Sequence, residues 1–408
     1  MGSPPGVESP HSLICIVRKF GALSASRSLA IRLSLLFFWL FAGLGLYLPF
    51  FPVFLAGRGL SPDEIALVLF VPIVIRAAAA PFVSGLADRR IDPALFLSLS
   101  SLAIGGLFAL TAFVSGLIPL LILAALIAVL QSASIPLSDA LTIKAAQTHQ
   151  GLHYGRIRLW GSVSFFLANL GGGFLLAHFG GVSIPLAIGV MTAVVLPVLL
   201  PLRERTGRAT ADVVGPRVSL PRFLLVIFAA AALIHASHAF LNAFGSLVWA
   251  AQDYGAEMIG AIWALNILGE VVLFWFFGSA IGPRFPAFAF LMVGGGVAVM
   301  RWVAMGFSPG PVVLALCQLS HGLTFGATHL GSIALVARFA PEGARSRAQG
   351  LMSAMNGALV SAGTLASGWL FTHLGAAGFW AMVPLALAGF ALAAWCAWRQ
   401  PQSAREGG

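Results

Sequence analysis

The chain is a succession of long apolar runs, each about as long as a membrane is thick. A helix needs ~20 residues to cross the hydrocarbon core of a bilayer. Runs of that size lie between charge and Gly/Pro punctuation at 31–56, 63–84, 94–114, 117–146, 158–179, 182–202, 220–248, 256–280, 285–306, 310–338, 345–373 and 376–398. Composition rules out water as their main solvent. Of 408 residues 59% are hydrophobic and 9% charged, where a soluble domain is about one quarter charged. Lipid cannot hydrogen-bond to a backbone, so spans must be helices or closed barrels. The runs lack the strict alternation of barrel strands. The sequence therefore predicts an all-α polytopic membrane protein of twelve transmembrane helices.

Cytoplasmic loops collect Lys and Arg. With both termini in the cytoplasm, the inner segments hold twenty of the twenty-three basic residues. Arg58 falls outside, and Arg76 and Arg301 fall within spans. A wrong span count would scatter these charges. The expected organisation is a cytoplasmic tail (1–30), a six-helix half (31–202), an Arg-rich cytoplasmic linker (203–219), a second six-helix half (220–398) and a short tail (399–408). The first residues carry Glu8 and no early positive charge, and they read as a tail rather than a signal peptide. The net charge of +10 does not point to nucleic acid, because the basic residues are spread singly among apolar runs. Cys15, Cys317 and Cys396 have no metal spacing and read as small hydrophobes.

The two halves repeat each other. The loops after the fourth and tenth spans carry Arg156-Ile157-Arg158 and Arg345-Ser346-Arg347 at a helix start, with Gly161 and Gly350 three residues on. The helices that follow are rich in glycine, which lets transmembrane helices approach closely. They end on His178-Phe179-Gly180 and His373-Leu374-Gly375. A 6+6 arrangement of parallel repeats resembles the major facilitator superfamily, whose substrate site lies between the halves near the midplane. Gly85-Leu86-Ala87-Asp88-Arg89-Arg90 resembles that superfamily's Gly-x-x-x-Asp-Arg loop, with one residue fewer before the acid. The resemblance makes Asp88, Arg89, Arg156, Arg158, Arg345 and Arg347 candidates for a cytoplasmic gate. The second-half counterpart, Gly278 to Arg284, lacks the acid.

A charge at mid-bilayer costs at least ~2.5–3.5 kcal/mol, so such residues are functional candidates by default. Arg76, Asp139, Glu270 and Arg301 qualify. The simplest expectation pairs Arg76 with Asp139 and Glu270 with Arg301. Loss of water favours the protonated form of a carboxylate, so a pair that breaks can take up a proton. Glu270 is the first choice for that role and Asp139 the second. His235, His238 and Asn242 fall at i, i+3 and i+7, and Gln318, His321, Thr324 and Thr328 form a second stripe with His329 beside it. Both stripes are expected to line a cavity. Trp39, Tyr47 and Phe50 share a face of the first span and are suited to closing the site. His235 and His238 have no third ligand within reach, so no metal is expected, and no cofactor is implied.

Pro136 to Leu141, Tyr154 to Ser162, Ala236 to Ala239 and His321 to His329 together resemble the phenylpropionate permease family, related to lactose permease and the nucleoside–proton symporters. The resemblance runs from about 31 to 398. It implies proton symport of an aromatic acid such as 3-phenylpropionate in a bacterial inner membrane. Arg301 matches an Arg in the ninth span of lactose permease. That relative has a His–Glu pair three residues apart in the tenth span, whereas His321 is followed at that spacing by Thr324. The proton site must then shift to Glu270 or Asp139, with His321 a further candidate. Candidate substrate ligands are Arg76, Arg301, His235, His238, Asn242, Gln318 and Tyr47. Alternatives of the same fold are a proton-coupled sugar or nucleoside symporter, or a drug exporter. No HExxH, G-x-S-x-G or P-loop string is present, so a non-enzymatic carrier is expected. It would act as a monomer, with substrate, proton and lipid as its partners.

Overall fold

The structure is a computed structural model that describes residues 10–90, 92–149, 151–202, 219–277, 287–341 and 343–400. Among these, all regular structure is helical. The first group comprises α1 (Pro10–Gly57), α2 (Pro62–Arg90), α3 (Pro93–Thr111), α4 (Leu117–Gln131), α5 (Ser134–Thr148), α6 (Tyr154–Phe179), α7 (Ser183–Ala193) and α8 (Val195–Leu199). The second comprises α9 (Arg222–Ala236), α10 (Ala239–Ala250), α11 (Ala256–Phe277), α12 (Ala287–Gly306), α13 (Pro311–Leu319), α14 (Ala327–Phe339), α15 (Arg345–Leu374) and α16 (Val383–Arg399). A π-helical turn at Gly322–Gly326 joins α13 to α14, and a 3-10 segment at Gly375–Met382 joins α15 to α16. Nine helical stretches among the described residues are long and apolar enough to cross a bilayer. The chain is thus a multi-pass, all-α membrane protein. The last stretch, Arg347–Arg399, has 53 residues, more than twice what one crossing needs.

Local sequence explains where helices start and break. At α2, the Ser61 N–H donates to Glu64 Oε2 at 2.8 Å and the Glu64 N–H donates to the Ser61 hydroxyl at 3.3 Å. That reciprocal cap satisfies two N–H groups a helix start leaves open. Asp92 caps α3 by accepting from the Leu95 N–H at 3.0 Å, with Pro93 at the first helical position. A proline has no N–H, and its ring crowds the carbonyl four residues back. Pro136 lies four residues after Ser132, where the α4–α5 break falls, and Pro197 lies four after Ala193, where α7 ends.

Helices α1–α8 pack chiefly on one another, and so do α9–α16. Two seams join the groups, α6 on α11 and α15 on α2, with α1 meeting α10 between them. Both seams use the same device. A Cβ on Gly173 would sit 2.6 Å from the Ala256 carbonyl oxygen, and one on Gly368 would sit 2.8 Å from the Pro62 carbonyl oxygen. Five residues after each glycine comes a histidine. His178 Nδ1–H donates to the Phe174 carbonyl at 3.0 Å, and its ring stacks on Phe174 with 4.2 Å between centroids. His373 does the same with Trp369, at 2.9 and 4.4 Å. Each helix then ends at a glycine with positive φ, Gly180 at 72° and Gly375 at 54°, a conformation that favours glycine. The repeat read in the two His-x-Gly strings is a repeat of structure.

The apolar core is shared at one end only. One buried cluster includes Phe50 and Phe54 of α1, Phe240 and Phe244 of α10, and Trp263 of α11. At the opposite end the groups have separate cores, one around Leu33, Phe37 and Leu141, the other around Phe228, Leu291 and Leu335. The groups are therefore sealed together near the C-terminal end of α1.

Gly173→Val and Gly368→Val are each expected to lower the thermal unfolding temperature of the detergent-purified protein by several degrees. Gly171, which has open space where a Cβ would go, should tolerate the same change within about a degree. Equal effects at all three positions would mean that the seams do not depend on these glycines.

Candidate functional site

Two glycines bring the main polar cluster together. A Cβ on Gly269 of α11 would strike the Leu319 carbonyl, and one on Gly322 of the π turn would strike the Gly269 carbonyl. With neither present the two backbones touch, and Glu270 faces His321. The Glu270 Oε1 to His321 Nε2 distance is 3.1 Å.

Arg301 of α12 completes the cluster and is 2% exposed. Its Nη1 donates to His321 Nδ1 at 3.0 Å and to Thr324 Oγ1 at 3.2 Å. Its Nη2 donates to Asn266 Oδ1 at 3.1 Å and to Gln318 Oε1 at 2.5 Å. Both terminal nitrogens are thereby saturated, and only Nε lacks a partner. A guanidinium has no acceptor, so His321 Nδ1 must accept and Nε2 must carry the ring proton. That proton points at Glu270. The expected direct Glu270–Arg301 pair is replaced by a relay, Arg301 to His321 to Glu270. Protonating Glu270 would turn a charge-assisted hydrogen bond into an ordinary one, about half as strong, and would loosen the grip of α11 on the π turn.

The helix around His238 breaks at Ser237–His238, between α9 and α10. Both histidines beside the break turn to the π turn, each packing on Phe325. His238 Nε2 lies 2.9 Å from Thr324 Oγ1 while Nδ1 donates to the Ile234 carbonyl at 3.0 Å. His235 packs its ring on Phe325 at 4.7 Å, and its Nε2 is buried without a partner. Asn242 lines a cavity. Of the second stripe, Gln318, His321 and Thr324 bind Arg301. Thr328 bonds back to the Thr324 carbonyl at 2.6 Å, and His329 is exposed.

That cavity, of ≈ 290 Å³, lies between the two groups. Tyr47 of α1, Arg76 of α2, Asn242 of α10, and Asn356 and Thr364 of α15 supply its polar lining, and Leu69 and Ile73 part of its apolar wall. The expected Arg76–Asp139 pair does not form. Arg76 Nη1 reaches only the Gln131 side-chain oxygen, at 3.5 Å. No carboxylate among the described residues pairs with it. Asp139 instead accepts from the Tyr154 hydroxyl at 2.9 Å and lies 3.8 Å from Arg158 Nε. Arg158 also stacks over Phe41, 4.1 Å from the ring centre. The reason is position: Asp139 stands on α5, beyond the α4–α5 break, whereas Gln131 closes α4 opposite Arg76.

Among the gate candidates, Arg158 thus binds within its own group. Arg156, Arg345 and Arg347 stand at the exposed starts of α6 and α15. The side chains of Asp88 and Arg89 lie outside the described residues. Sequence reasoning missed Asn266, although its i, i+4 spacing to Glu270 puts both on one helix face. It also missed Gln131, Asn356 and Thr364, single polar residues in apolar runs. Replacing Asn266 with Leu removes one acceptor from a buried cation and is expected to cost about 1–3 kcal/mol. A thermal melt should show the loss, and an unchanged melt would mean that Arg301 does not depend on this partner.

The description "MFS_1 like family" fits the chain over residues 30–382. The probable 3-phenylpropionic acid transporter of Escherichia coli K12 is 29% identical over 364 residues, covering 87% of this chain and 94% of that one. The maltose permease of Geobacillus stearothermophilus is 30% identical over 334 residues, covering 80% and 83%. Among solved structures, the nucleoside transporter NupG superimposes with a TM-score of 0.74 at 16% identity, covering 91% of this chain and all of that one. A bacterial homologue of the human lysosomal transporter Spinster gives 0.66 at 14% identity, covering 94% and 97%. These two likenesses concern the fold alone. Matched along most of its length by the family and by curated transporters, this multi-pass chain belongs to the MFS_1 like family and is a transporter of small molecules.

Proposed function

We propose that the protein is a proton-coupled symporter that carries a small organic acid, such as 3-phenylpropionate, by alternating access in a bacterial inner membrane. It crosses the membrane twelve times with both termini in the cytoplasm, works as a monomer and catalyses no reaction. The single observation that carries the substrate class is Arg76. Its guanidinium lines the cavity between the groups and has only a long contact to a neutral amide. A substrate carboxylate would supply the missing charge. Arg301 is a poorer substrate ligand, since four acceptors already hold its terminal nitrogens. The apolar wall at Leu69 and Ile73 suits a ring, and the cavity stands at the small end of ligand sites, ~300–1,000 Å³. The probable 3-phenylpropionic acid transporter among the relatives agrees with this reading.

Glu270 is the proposed proton site. In the ionised state it accepts from His321 and so ties α11 to the π turn. Proton uptake weakens that tie and frees the second group to reorient with substrate. Asp139 is a weaker candidate, because Tyr154 and Arg158 hold it at the cytoplasmic end of the first group. The twelve-span reading draws support from the interrupted pairs. Helices α13 and α14 are each too short to cross alone, and α15 with α16 is long enough to cross twice.

A sugar substrate is the second reading, favoured by the maltose permease relative and by the amide and hydroxyl lining at Asn242, Asn356 and Thr364. The two separate in one assay. Proteoliposomes with an imposed inward proton gradient should accumulate labelled 3-phenylpropionate and leave maltose outside. The reverse result would replace the acid with a sugar. Arg76→Gln is expected to lower apparent affinity for the acid at least ten-fold, with Arg76→Lys restoring part of it. Glu270→Gln should abolish gradient-driven accumulation while substrate exchange across the vesicle continues. Loss of exchange together with accumulation would assign Glu270 to binding rather than coupling.

A further inference from the structure

At the end of the bundle where α1 enters the membrane, the surface carries a groove of ≈ 550 Å³ between α1 and α8. Arg27, Ile31 and Leu35 fall at i, i+4 and i+8 on α1, and Ser28 and Arg32 lie one position beside them. That spacing makes one helix face with cations at the mouth and hydrocarbon below. Pro197 and Val198 of α8 form the opposite wall. Ile31 is 52% and Leu35 38% exposed.

The two guanidiniums differ in their ties. Arg32 Nη1 donates to the Val198 carbonyl at 3.1 Å. Val198 lies in the last turn of α8, and the last carbonyls of a helix lack intrahelical partners. The contact fixes Arg32 at the rim with other N–H groups to spare. Arg27 is exposed. Neither the span Ser26–Gly57 nor the span Ser183–Leu202 contains an Asp or Glu, so neither helix offers the pair a carboxylate of its own. Ser28 adds a hydroxyl to the lining at the mouth.

We infer that this groove is a binding site for an anionic phospholipid, with the headgroup phosphate at Arg27 and Arg32 and an acyl chain along Ile31, Leu35 and Pro197. The charge and the apolar floor must be met together, and a phospholipid at the membrane surface presents both at this spacing. Basic pockets between transmembrane helices bind phosphate headgroups for this reason. On the proposed topology the site faces the cytoplasmic leaflet. It stands apart from the transport cavity and does not depend on which substrate that cavity takes.

Full-length protein stripped of lipid in detergent would be given phosphatidylglycerol or phosphatidylcholine, and retained lipid read by native mass spectrometry. Phosphatidylglycerol should be held several-fold more tightly. Arg27→Gln should weaken it about five-fold, the effect of one cation near an anionic headgroup, and leave phosphatidylcholine unchanged, while Arg27→Lys keeps the preference. Ile31→Gln should weaken both lipids. An excess of inorganic phosphate should leave the bound lipid in place. Equal retention of the two lipids, or no change in Arg27→Gln with an unaltered melting curve, would overturn the site. Displacement by inorganic phosphate would overturn the lipid as its occupant.

Discussion

A guanidinium buried where water cannot reach it must be given partners by the protein, and Arg301 sets that demand on the second group of helices. Its terminal nitrogens draw on Asn266 from α11, Gln318 from α13, His321 just beyond it and Thr324 from the π turn. Trp302, the next residue, donates to Ser237 at the α9–α10 break at 2.9 Å. One residue pair on α12 thus gathers α11, α13, the π turn and the α9–α10 break. An isolated cation in hydrocarbon would cost several kcal/mol. Surrounded by acceptors, it becomes the fixed point against which Glu270 is placed, with His321 transmitting that placement in one defined tautomer.

The irregular backbone sits where the polar chemistry is. The α9–α10 break presents His238, and the π turn presents Thr324, and the two side chains meet at 2.9 Å. Non-helical backbone at membrane depth is tolerated where it is buried in protein, and π turns occur often at functional sites. Both breaks lie against Arg301 and its partners. The proline breaks in the first group, by contrast, separate Gln131 from Asp139 and decide which of the two can reach Arg76.

Much of this was legible in the sequence for a plain reason. Membrane spans announce themselves by length and apolarity, and charges within them are rare enough to be noticed singly. Arg76, Asp139, Glu270 and Arg301 stood out for that reason, and all four hold polar contacts. Their pairing was not legible. Depth estimated by counting residues ignores helix breaks, and the break before Pro136 moved Asp139 out of reach of Arg76. Regular 3.6-residue spacing puts His235, His238 and Asn242 on one cavity face, whereas both histidines pack on the π turn at Thr324 and Phe325 and Asn242 lines the cavity between the groups. The sequence marks His321 as a proton candidate, but its place between Arg301 and Glu270 depends on a glycine–glycine contact that spacing alone does not show.

The seam glycines have a mechanical consequence. At Gly173 and Gly368 one helix rests on the backbone of another, at Ala256 and Glu257 in one seam and at Pro62 and Asp63 in the other. Such a contact has no rotamers to change when the helices turn against each other. It behaves as a bearing, in which rotation costs little and sliding apart costs contact on both faces. Under the alternating access proposed above, the aromatic core around Phe50, Phe240 and Phe244 must come apart for the sealed end to open. On that proposal the ring cluster would carry the barrier to opening, and the glycine contacts the axis of the turn.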